Sequence, residues 1–202
     1  MNIIGITGGI GTGKSTVLRM LETDFHAFVI EADKVAHDLM LPDQPVYNLI
    51  KDTFSEEALY SELFFPDRTI NRATLSKIVF SDSNKLALLN AIVHPAVKDY
   101  ILFQIKLQSE KEVRLFVIEA ALLIEDGYKE ICDELWYIYS SEDTRIKRLM
   151  TGRGYTREHC ESVINNQSSD EFYRMNCDHI IDNSLDEKST RKQLEELLKM
   201  HE

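Results

Sequence analysis

Cysteine and proline are scarce in this chain of 202 residues, and long apolar runs are missing. The cysteines, which are Cys132, Cys160 and Cys177, are odd in number and lie far apart, without a Cys-x-x-Cys pair. This pattern indicates neither a disulfide framework nor a zinc site. No uninterrupted apolar run approaches the roughly 18 residues of a membrane span, and no basic region precedes the short apolar stretch at the amino terminus. We therefore expect a reduced, cytoplasmic protein without a membrane segment or a signal peptide.

Basic residues are also in deficit. Lys and Arg number 23 against 34 Asp and Glu, which gives a formal net charge of −11. So acidic a chain is not expected to bind nucleic acid or a membrane surface through general charge attraction. A small anionic ligand is compatible with this balance if a local cluster of basic residues exists. The length suits one domain with an insert.

The apolar periodicity predicts an α/β fold. Short apolar runs predict strands at 2–7, 28–30, 113–118, 135–139 and 179–181. Helical patterns lie between most of them, and capping boxes at Ser140–Asp143 and Ser184–Glu187 are expected to open two of these helices. The alternation predicts a parallel sheet with helices on both faces, built from residues 1–41 and 110–202. Residues 42–108 are predicted to form a helical insert on the substrate side, in which Pro95 breaks or kinks a long helix near His94.

Four glycines, a lysine and a hydroxyl follow the first predicted strand. Residues Gly8–Ser15 read GGIGTGKS and match the phosphate-loop pattern GxxxxGK[ST], with a predicted helix after them. Glycines allow successive backbone N–H groups to turn toward a phosphate, and the amino end of the helix adds positive potential. Lys14 is predicted to neutralise the β- and γ-phosphates of a nucleoside triphosphate, and the Ser15 hydroxyl to ligate Mg²⁺. The alternative is a glycine-rich turn that only packs the helix on the strand.

The loop alone does not choose between kinases, GTPases and ATPases. A guanine-reading Asn-Lys-x-Asp sequence is missing, because Asn84-Lys85 is followed by Leu86-Ala87. This absence disfavours a GTP switch, and the choice between the remaining classes depends on other residues.

Two acidic residues end predicted strands. Asp33 closes the second strand, and Glu119 closes the strand that begins at Val113. Because the carboxyl ends of parallel strands meet at one ligand crevice, Asp33 is predicted to orient an acceptor hydroxyl and to accept its proton. A role through Mg²⁺-bound water and a helix N-cap role are the alternatives for Asp33. Glu119 is predicted either to approach Mg²⁺ through water or to be a structural acid.

The segment 144–157, TRIKRLMTGRGYTR, is a basic island within the acidic chain. It contains no acidic residue, and its basic residues are Arg145, Lys147, Arg148, Arg153 and Arg157. Arginines on a closing segment neutralise charge on a transferring phosphoryl group while water is excluded. We expect this segment to be a lid that is more mobile than the sheet, with Arg148 and Arg153 as its catalytic pair. The alternative is a solvated helix face.

Together these motifs resemble the dephospho-coenzyme A kinase family along nearly the whole chain. ITGGIGTGKST is similar to the family's phosphate loop, and VIEADKVAHDL to the stretch with its proposed catalytic acid. INRATLSKIVF and LLNAIVHPAV resemble its substrate-side helices, and IEAALLIE resembles a loop near the substrate. RIKRLMTGRGYTREHCESVINNQ resembles the lid with its trailing Gln167, and CDHIIDNS the closing strand. Two positions depart from the family pattern. The family usually has a proline at the position of Ala121, where the change affects the shape of the loop beside Glu125. It usually has an alanine at the position of Cys177, where we expect a change in packing.

The resemblance implies a set of site residues. The implied catalytic residues are Asp33, which is the catalytic acid, and Lys14, Arg148 and Arg153. The resemblance also implies an acceptor side formed by Thr7, Asp33, Arg72, His94 and Glu125. The implied nucleotide side comprises Gly8, Gly9, Ile10, Gly11, Thr12, Gly13, Lys14, Ser15, Thr16 and Asn183, the last of them near the adenine. The alternative for His94 is a packed residue at a helix break.

The implied reaction is phosphorylation by ATP of the 3′-hydroxyl of the ribose in dephospho-CoA, which gives coenzyme A and ADP in the last step of coenzyme A synthesis. ATP and Mg²⁺ are the implied cofactors, the small-molecule acceptor is the expected partner, and the chain is assumed to be a monomer. Two alternatives share the same residues. One is another small-molecule P-loop kinase that acts on a nucleoside, a nucleotide or a shikimate-like hydroxyl, and the other is a regulatory module that binds ATP without transferring phosphate.

Overall fold

A parallel five-stranded sheet is the centre of the fold. The structure, a computed structural model, describes residues 1–57 and 59–200. The strands are β1 (Asn2–Thr7), β2 (Phe28–Glu31), β3 (Leu115–Glu119), β4 (Glu134–Tyr139) and β5 (His179–Asp182). They lie in the order β2-β3-β1-β4-β5, and every neighbouring pair is parallel. The predicted parallel α/β sheet is confirmed, and each strand boundary lies within two residues of its predicted position.

The register brings the carboxyl ends of three strands together. Ile6 of β1 is aligned with Glu119 of β3 on one side and with Trp136 of β4 on the other. Glu31, the last residue of β2, is in turn aligned with Glu119. Because β1 is the central strand, the loop that leaves its carboxyl end lies between the ends of β3 and β4. This edge of a parallel sheet is where ligands bind in open α/β folds.

Helices alternate with the strands at both ends of the chain, and the middle is helical. They are α1 (Lys14–Phe25), α2 (Ala32–Leu39), α3 (Pro45–Thr53), α4 (Arg72–Phe80), α5 (Ser83–Glu110), α6 (Glu142–Arg153), α7 (Arg157–Asn165), α8 (Asp170–Asn176) and α9 (Glu187–Lys199). Short 3₁₀ turns occur at Tyr60–Glu62 and Tyr128–Glu130. The sequence patterns had not indicated α8.

Both faces of the sheet are buried. One face shares an apolar cluster with α1 and α9, whose members include Ile4, Ile6, Val17, Leu21, Val117, Trp136, Ile138 and Leu194. On the other face Phe116, Ile118 and Leu135 are also buried. There, Tyr173 of α8 stacks on Tyr137 of β4 with 4.7 Å between the ring centroids. Burial on both faces explains why the strands read as continuous apolar runs.

Two helix starts differ from the predicted capping boxes. α6 begins after Ser141, and the Ser140 hydroxyl bonds instead to the backbone carbonyl of Thr12. α9 begins after Asp186, whose carboxylate accepts a hydrogen bond from a backbone N–H of its first turn. The Ser184 hydroxyl accepts a hydrogen bond from the backbone N–H of Ser141. The predicted capping roles of Ser140 and Ser184 are therefore wrong, because both hydroxyls have partners far away in the sequence.

The longest helix runs through a proline. α5 spans 28 residues with Pro95 inside it, so the helix does not break near His94, and the predicted alternative of a kink stays a prediction. Proline removes one N–H and frees the carbonyl of Ala91, but both residues are exposed, so water can bond to that carbonyl. By length and composition α5 could cross a membrane, with a mean hydropathy of 1.3 over its most apolar window. Those two properties do not establish a membrane span, since core helices of ordinary domains share them.

The chain divides into two compact units. One comprises Met1–Glu31 and the chain from Gln108 onward, and it contains the whole sheet. The other is Ala32–Leu107, which includes α2. This second unit has its own apolar core, formed by α3, α4 and the segment between them, with Val46, Tyr47, Ile50, Phe54, Leu63, Ile70, Leu75, Ile78 and Val79.

Candidate active site

The phosphate loop joins the central strand to the first helix. β1 ends at Thr7, and α1 begins at Lys14. Gly13 is the N-cap residue of α1 and has a φ of 86°, in the left-handed region that favours glycine. A β-carbon at this position would lie 2.3 Å from Nδ2 of Asn183, so space also requires glycine here. The loop therefore has the strand–loop–helix context that its sequence predicts.

Lys14 reaches back across the loop. Its Nζ donates a hydrogen bond to the Gly8 carbonyl at 2.8 Å and lies 3.4 Å from Oε1 of Glu119. Both side chains are largely buried, with exposed fractions of 19% for Lys14 and 10% for Glu119. At this depth each charge needs a partner, because desolvation penalises it. The structure thus brings together two residues that the sequence assigned separately to phosphate and to Mg²⁺.

The carbonyl of Thr12 is a heavily supported point of the loop. It accepts hydrogen bonds from Oγ of Ser140 at 3.0 Å, Nη1 of Arg148 at 3.0 Å and Nδ2 of Asn183 at 2.8 Å. Arg148 also donates from Nη2 to the Asn183 carbonyl at 2.8 Å, and the Thr190 hydroxyl donates to Oδ1 of Asn183 at 2.9 Å. Arg148 and Asn183 therefore stabilise the loop through its Thr12 carbonyl. Their predicted contacts with phosphate and adenine stay predictions.

A second support holds the backbone of Ile10. Nε of Arg145 donates to the Ile10 carbonyl at 2.8 Å. Oε1 of Gln167 accepts hydrogen bonds from the Ile10 backbone N–H at 2.8 Å and from Nη2 of Arg145 at 3.0 Å. The sequence placed both residues in or beside the lid without giving either a role. The basic island marked Arg145 as a candidate site residue. Nothing in the sequence pattern indicated that Gln167 would contact Ile10.

Arg153 has a different environment from Arg148. It is the last residue of α6, it is exposed, and its guanidinium has no hydrogen-bond or ion-pair partner in the part of the chain that the structure describes. α6 continues through Gly152 and stops before Gly154, which has a φ of 67°. Much of the predicted lid is therefore one helix that is anchored to the phosphate loop at one end.

Two predicted acceptor-side residues lie in the sheet-containing unit. Glu125 follows β3 in an irregular segment, and its Oε1 accepts a hydrogen bond from the Ser168 hydroxyl at 3.2 Å. Thr7 is fully buried, and its hydroxyl has no hydrogen-bond partner among residues 1–57 and 59–200. Whether these residues contact an acceptor stays a prediction.

Two stacked tyrosines lie on the sheet face that α8 covers. The hydroxyl of Tyr137 donates a hydrogen bond to Oδ1 of Asp170 at 2.9 Å. Burial, assisted by this carboxylate, raises the pKa of Tyr137. Burial and the negative charge of Glu125 raise the pKa of Tyr173. Both hydroxyls therefore stay protonated at neutral pH, and that of Tyr137 is a neutral hydrogen-bond donor to Asp170.

Three predicted site residues belong to the unit Ala32–Leu107. Asp33 lies in the first turn of α2, two residues after β2. It is therefore not the end of the strand as predicted, and it is not the N-cap residue that was the alternative. Arg72 is the exposed first residue of α4. His94 is half-buried within α5. Their contacts with a substrate stay predictions.

The oxygen donors of the loop fit a nucleotide-bound magnesium ion. In the described residues, no group of three His, Cys, Asp or Glu side chains could hold a metal ion by itself. Mg²⁺ needs few protein ligands in such sites, because phosphate oxygens and water complete its octahedron. The exposed Ser15 side chain and the carboxylate of Glu119 are donors of the kind that Mg²⁺ prefers.

A parallel sheet whose central strand leads into GGIGTGKS and then into a helix defines a P-loop nucleotide-binding protein. The family model for dephospho-CoA kinase matches residues 2–188. A dephospho-CoA kinase from Carboxydothermus hydrogenoformans is 38% identical over 192 residues, which cover 95% of this chain and 90% of that protein. The chain belongs to the dephospho-CoA kinase family.

Solved structures agree with this placement. The protein TT1252 from Thermus thermophilus superposes with a TM-score of 0.79 and 27% sequence identity, covering 98% of this chain and 97% of that one. A dephospho-CoA kinase from Campylobacter jejuni superposes with a TM-score of 0.72 and 25% identity, covering 98% and 96% of the two chains. The fold and the family resemblance predicted from the sequence are thereby confirmed.

Proposed function

We propose that this protein transfers the γ-phosphoryl group of ATP to the 3′-hydroxyl of the ribose in dephospho-CoA, forming coenzyme A and ADP. Membership of the dephospho-CoA kinase family supports the reaction class. The observation that carries the proposal is the phosphate loop held at two points, the Thr12 carbonyl and the Ile10 backbone, with Lys14 buried beside Glu119. A loop fixed in advance presents its N–H groups to developing phosphate charge with little reorganisation.

Each residue of the loop has a role in this proposal. Lys14 exchanges the Gly8 carbonyl and Glu119 for the β- and γ-phosphates. The Ser15 hydroxyl and, through water, Glu119 would hold Mg²⁺, which would supply positive charge to neutralise the phosphate groups. Asp33 orients the acceptor hydroxyl and accepts its proton. Arg153, whose guanidinium has no partner in the described residues, neutralises the transferring group.

The direct test is turnover by the purified protein with ATP, Mg²⁺ and dephospho-CoA, with ADP and coenzyme A separated by chromatography. Nucleosides, nucleoside monophosphates and shikimate serve as competing acceptors. Product from dephospho-CoA alone supports the proposal. Product from another acceptor identifies a different small-molecule kinase, and ADP binding without any product identifies a binding module.

Asp33→Asn tests the acid within this reaction. A general base contributes about 10²- to 10⁴-fold to a rate, so kcat is expected to fall by that factor. ATP affinity, measured by calorimetry, is expected to stay within about twofold. A kcat close to that of the wild type would show that Asp33 has no role in proton transfer.

We also propose that the enzyme is a cytoplasmic monomer. The phosphate loop takes its supports from residues of the same chain. The cysteines are free, as a reducing compartment requires. Light scattering at assay concentrations tests the monomer, and a stable larger mass would contradict it.

A further inference from the structure

One side-chain oxygen joins the segment after α7 to the phosphate loop. Oε1 of Gln167 accepts hydrogen bonds from the Ile10 backbone N–H at 2.8 Å and from Nη2 of Arg145 at 3.0 Å. Arg145 closes the cycle by donating from Nε to the Ile10 carbonyl at 2.8 Å. We propose that Gln167 and Arg145 act as one pair of positioning residues, which fixes the backbone of Ile10 and thereby the shape of the loop for nucleotide binding.

The cycle uses both backbone polar groups of Ile10. An N–H that donates to Gln167 is not directed at a phosphate oxygen, and the Thr12 N–H donates to the Gly9 carbonyl at 3.4 Å. The phosphate contacts therefore fall to the N–H groups of Gly11, Gly13, Lys14 and Ser15. The orientation of the Ile10 backbone determines the orientation of the backbone in the loop residues that follow it. Loss of the cycle is therefore expected to weaken nucleotide binding, although neither Gln167 nor Arg145 is assigned a contact with the nucleotide.

The geometry distinguishes this contact from an ordinary surface hydrogen bond. Gln167 is exposed, and holding its long side chain in one rotamer costs conformational entropy. Two donors converge on its oxygen, and one of them is a charged guanidinium, which makes the stronger kind of hydrogen bond. A β-carbon on Gly9 would lie 2.5 Å from Nη2 of Arg145 and 2.8 Å from Oε1 of Gln167. The pair therefore packs directly on the backbone of the loop.

The neighbouring residue extends the connection to a second loop. The Ser168 hydroxyl donates to Oε1 of Glu125, which lies in the segment after β3. Gln167 and Ser168 are thus held between the phosphate loop and that segment. This second contact keeps the backbone at Gln167 in place, so a substitution of the Gln167 side chain removes the contact with Ile10 without releasing the segment.

The test uses nucleotide binding as well as turnover, because the proposal rests on the ATP site proposed above. Gln167→Met keeps the length of the side chain and removes the acceptor. Gln167→Glu keeps an acceptor for both donors, and its charge is paired with Arg145. Arg145→Met and the double variant complete a double-mutant cycle. The Kd of ADP with Mg²⁺ is measured by calorimetry, beside kcat, the KM of each substrate and the melting temperature.

Gln167→Met is expected to weaken ADP binding and to raise the KM of ATP about five- to tenfold, as loss of two hydrogen bonds implies. The KM of dephospho-CoA and kcat are expected to change less than about twofold, and Gln167→Glu to bind ADP within about twofold of the wild type. The double variant is expected to bind no more weakly than the weaker single variant, since each change breaks the same cycle.

Unchanged ADP affinity in Gln167→Met, equal weakness of Gln167→Glu and Gln167→Met, or independent effects in the double variant would each overturn the proposal. Asn166→Leu is the matched control, because it changes the adjacent exposed side chain, which has no hydrogen bond in the described residues. If ADP binding follows the expected pattern while dephospho-CoA gives no product, the positioning role stands and the proposed reaction fails.

Discussion

Replacing Arg148 by methionine separates loop support from a purely catalytic role. The guanidinium donates to the Gly11 carbonyl at 3.4 Å, the Thr12 carbonyl at 3.0 Å, Oγ of Ser140 at 3.0 Å and the Asn183 carbonyl at 2.8 Å. Three of these distances are within the usual hydrogen-bond range, and a hydrogen bond from a charged group contributes about 1.5–3 kcal/mol. Arg148 is half-buried, so water can hydrogen-bond to some of the acceptors that lose the guanidinium. We therefore expect Arg148→Met to lower the free energy of unfolding by about 3–4 kcal/mol in total.

Thermal unfolding measures this directly. For a chain of this length, 1 kcal/mol corresponds to about 2–4 °C in Tm, so a fall of about 6–16 °C is expected. Arg153→Met is the matched control, because it makes the same substitution in the same helix at an exposed side chain. Its free energy of unfolding is expected to change by about 0.5 kcal/mol or less. If Arg148→Met melted within about 1 °C of the wild type, the assignment of its guanidinium to loop support would be refuted.

Three further measurements test other parts of the molecule. Gly13→Ala places a β-carbon on a residue with a left-handed φ, which costs about 1–2 kcal/mol, and that β-carbon clashes with the side chain of Asn183. ADP binding measured by calorimetry should therefore be lost. Gly152→Ala is the control and should bind ADP normally, because nothing lies within 4 Å of a β-carbon at that position. Glu119→Gln should raise the Mg²⁺ concentration needed for half-maximal turnover by about fivefold or more, and an unchanged requirement would make Glu119 a structural acid. Burial raises the pKa of Cys132 and Cys177 to about 12, so native protein should react with iodoacetamide increasingly from pH 9 to 11, where ordinary thiols level off.

The strands and the phosphate loop were predictable because their signals are local. A strand buried on both faces needs a continuous apolar run, and GGIGTGKS needs only adjacent residues and its flanking elements. The helix starts at Ser140 and Ser184 were not predictable in this way. Their hydroxyls bond to Thr12 and Ser141, and a cap pattern of four residues contains no information on such partners.

The supports of the site show the same limit. The basic island identified Arg145 and Arg148 as unusual in an acidic chain, but their partners are backbone carbonyls of Ile10 and Thr12. Every residue has a carbonyl, so a sequence cannot mark which one an arginine will reach. Gln167 is a polar residue in a polar segment, and its contact with Ile10 arises only when the chain folds.

The supports of Thr12 also determine when this chain can first bind ATP during its synthesis. Residues 8–15 leave the ribosome early, whereas Arg148 and Asn183 lie 136 and 171 residues beyond the carbonyl that they hold. Translation proceeds from the amino terminus, so the loop cannot take its final shape until β5 has emerged. A nascent chain that lacks these supports therefore gains less stability from ATP while it folds. Nearly the whole polypeptide must be made before the motif at its beginning becomes a fully supported binding site.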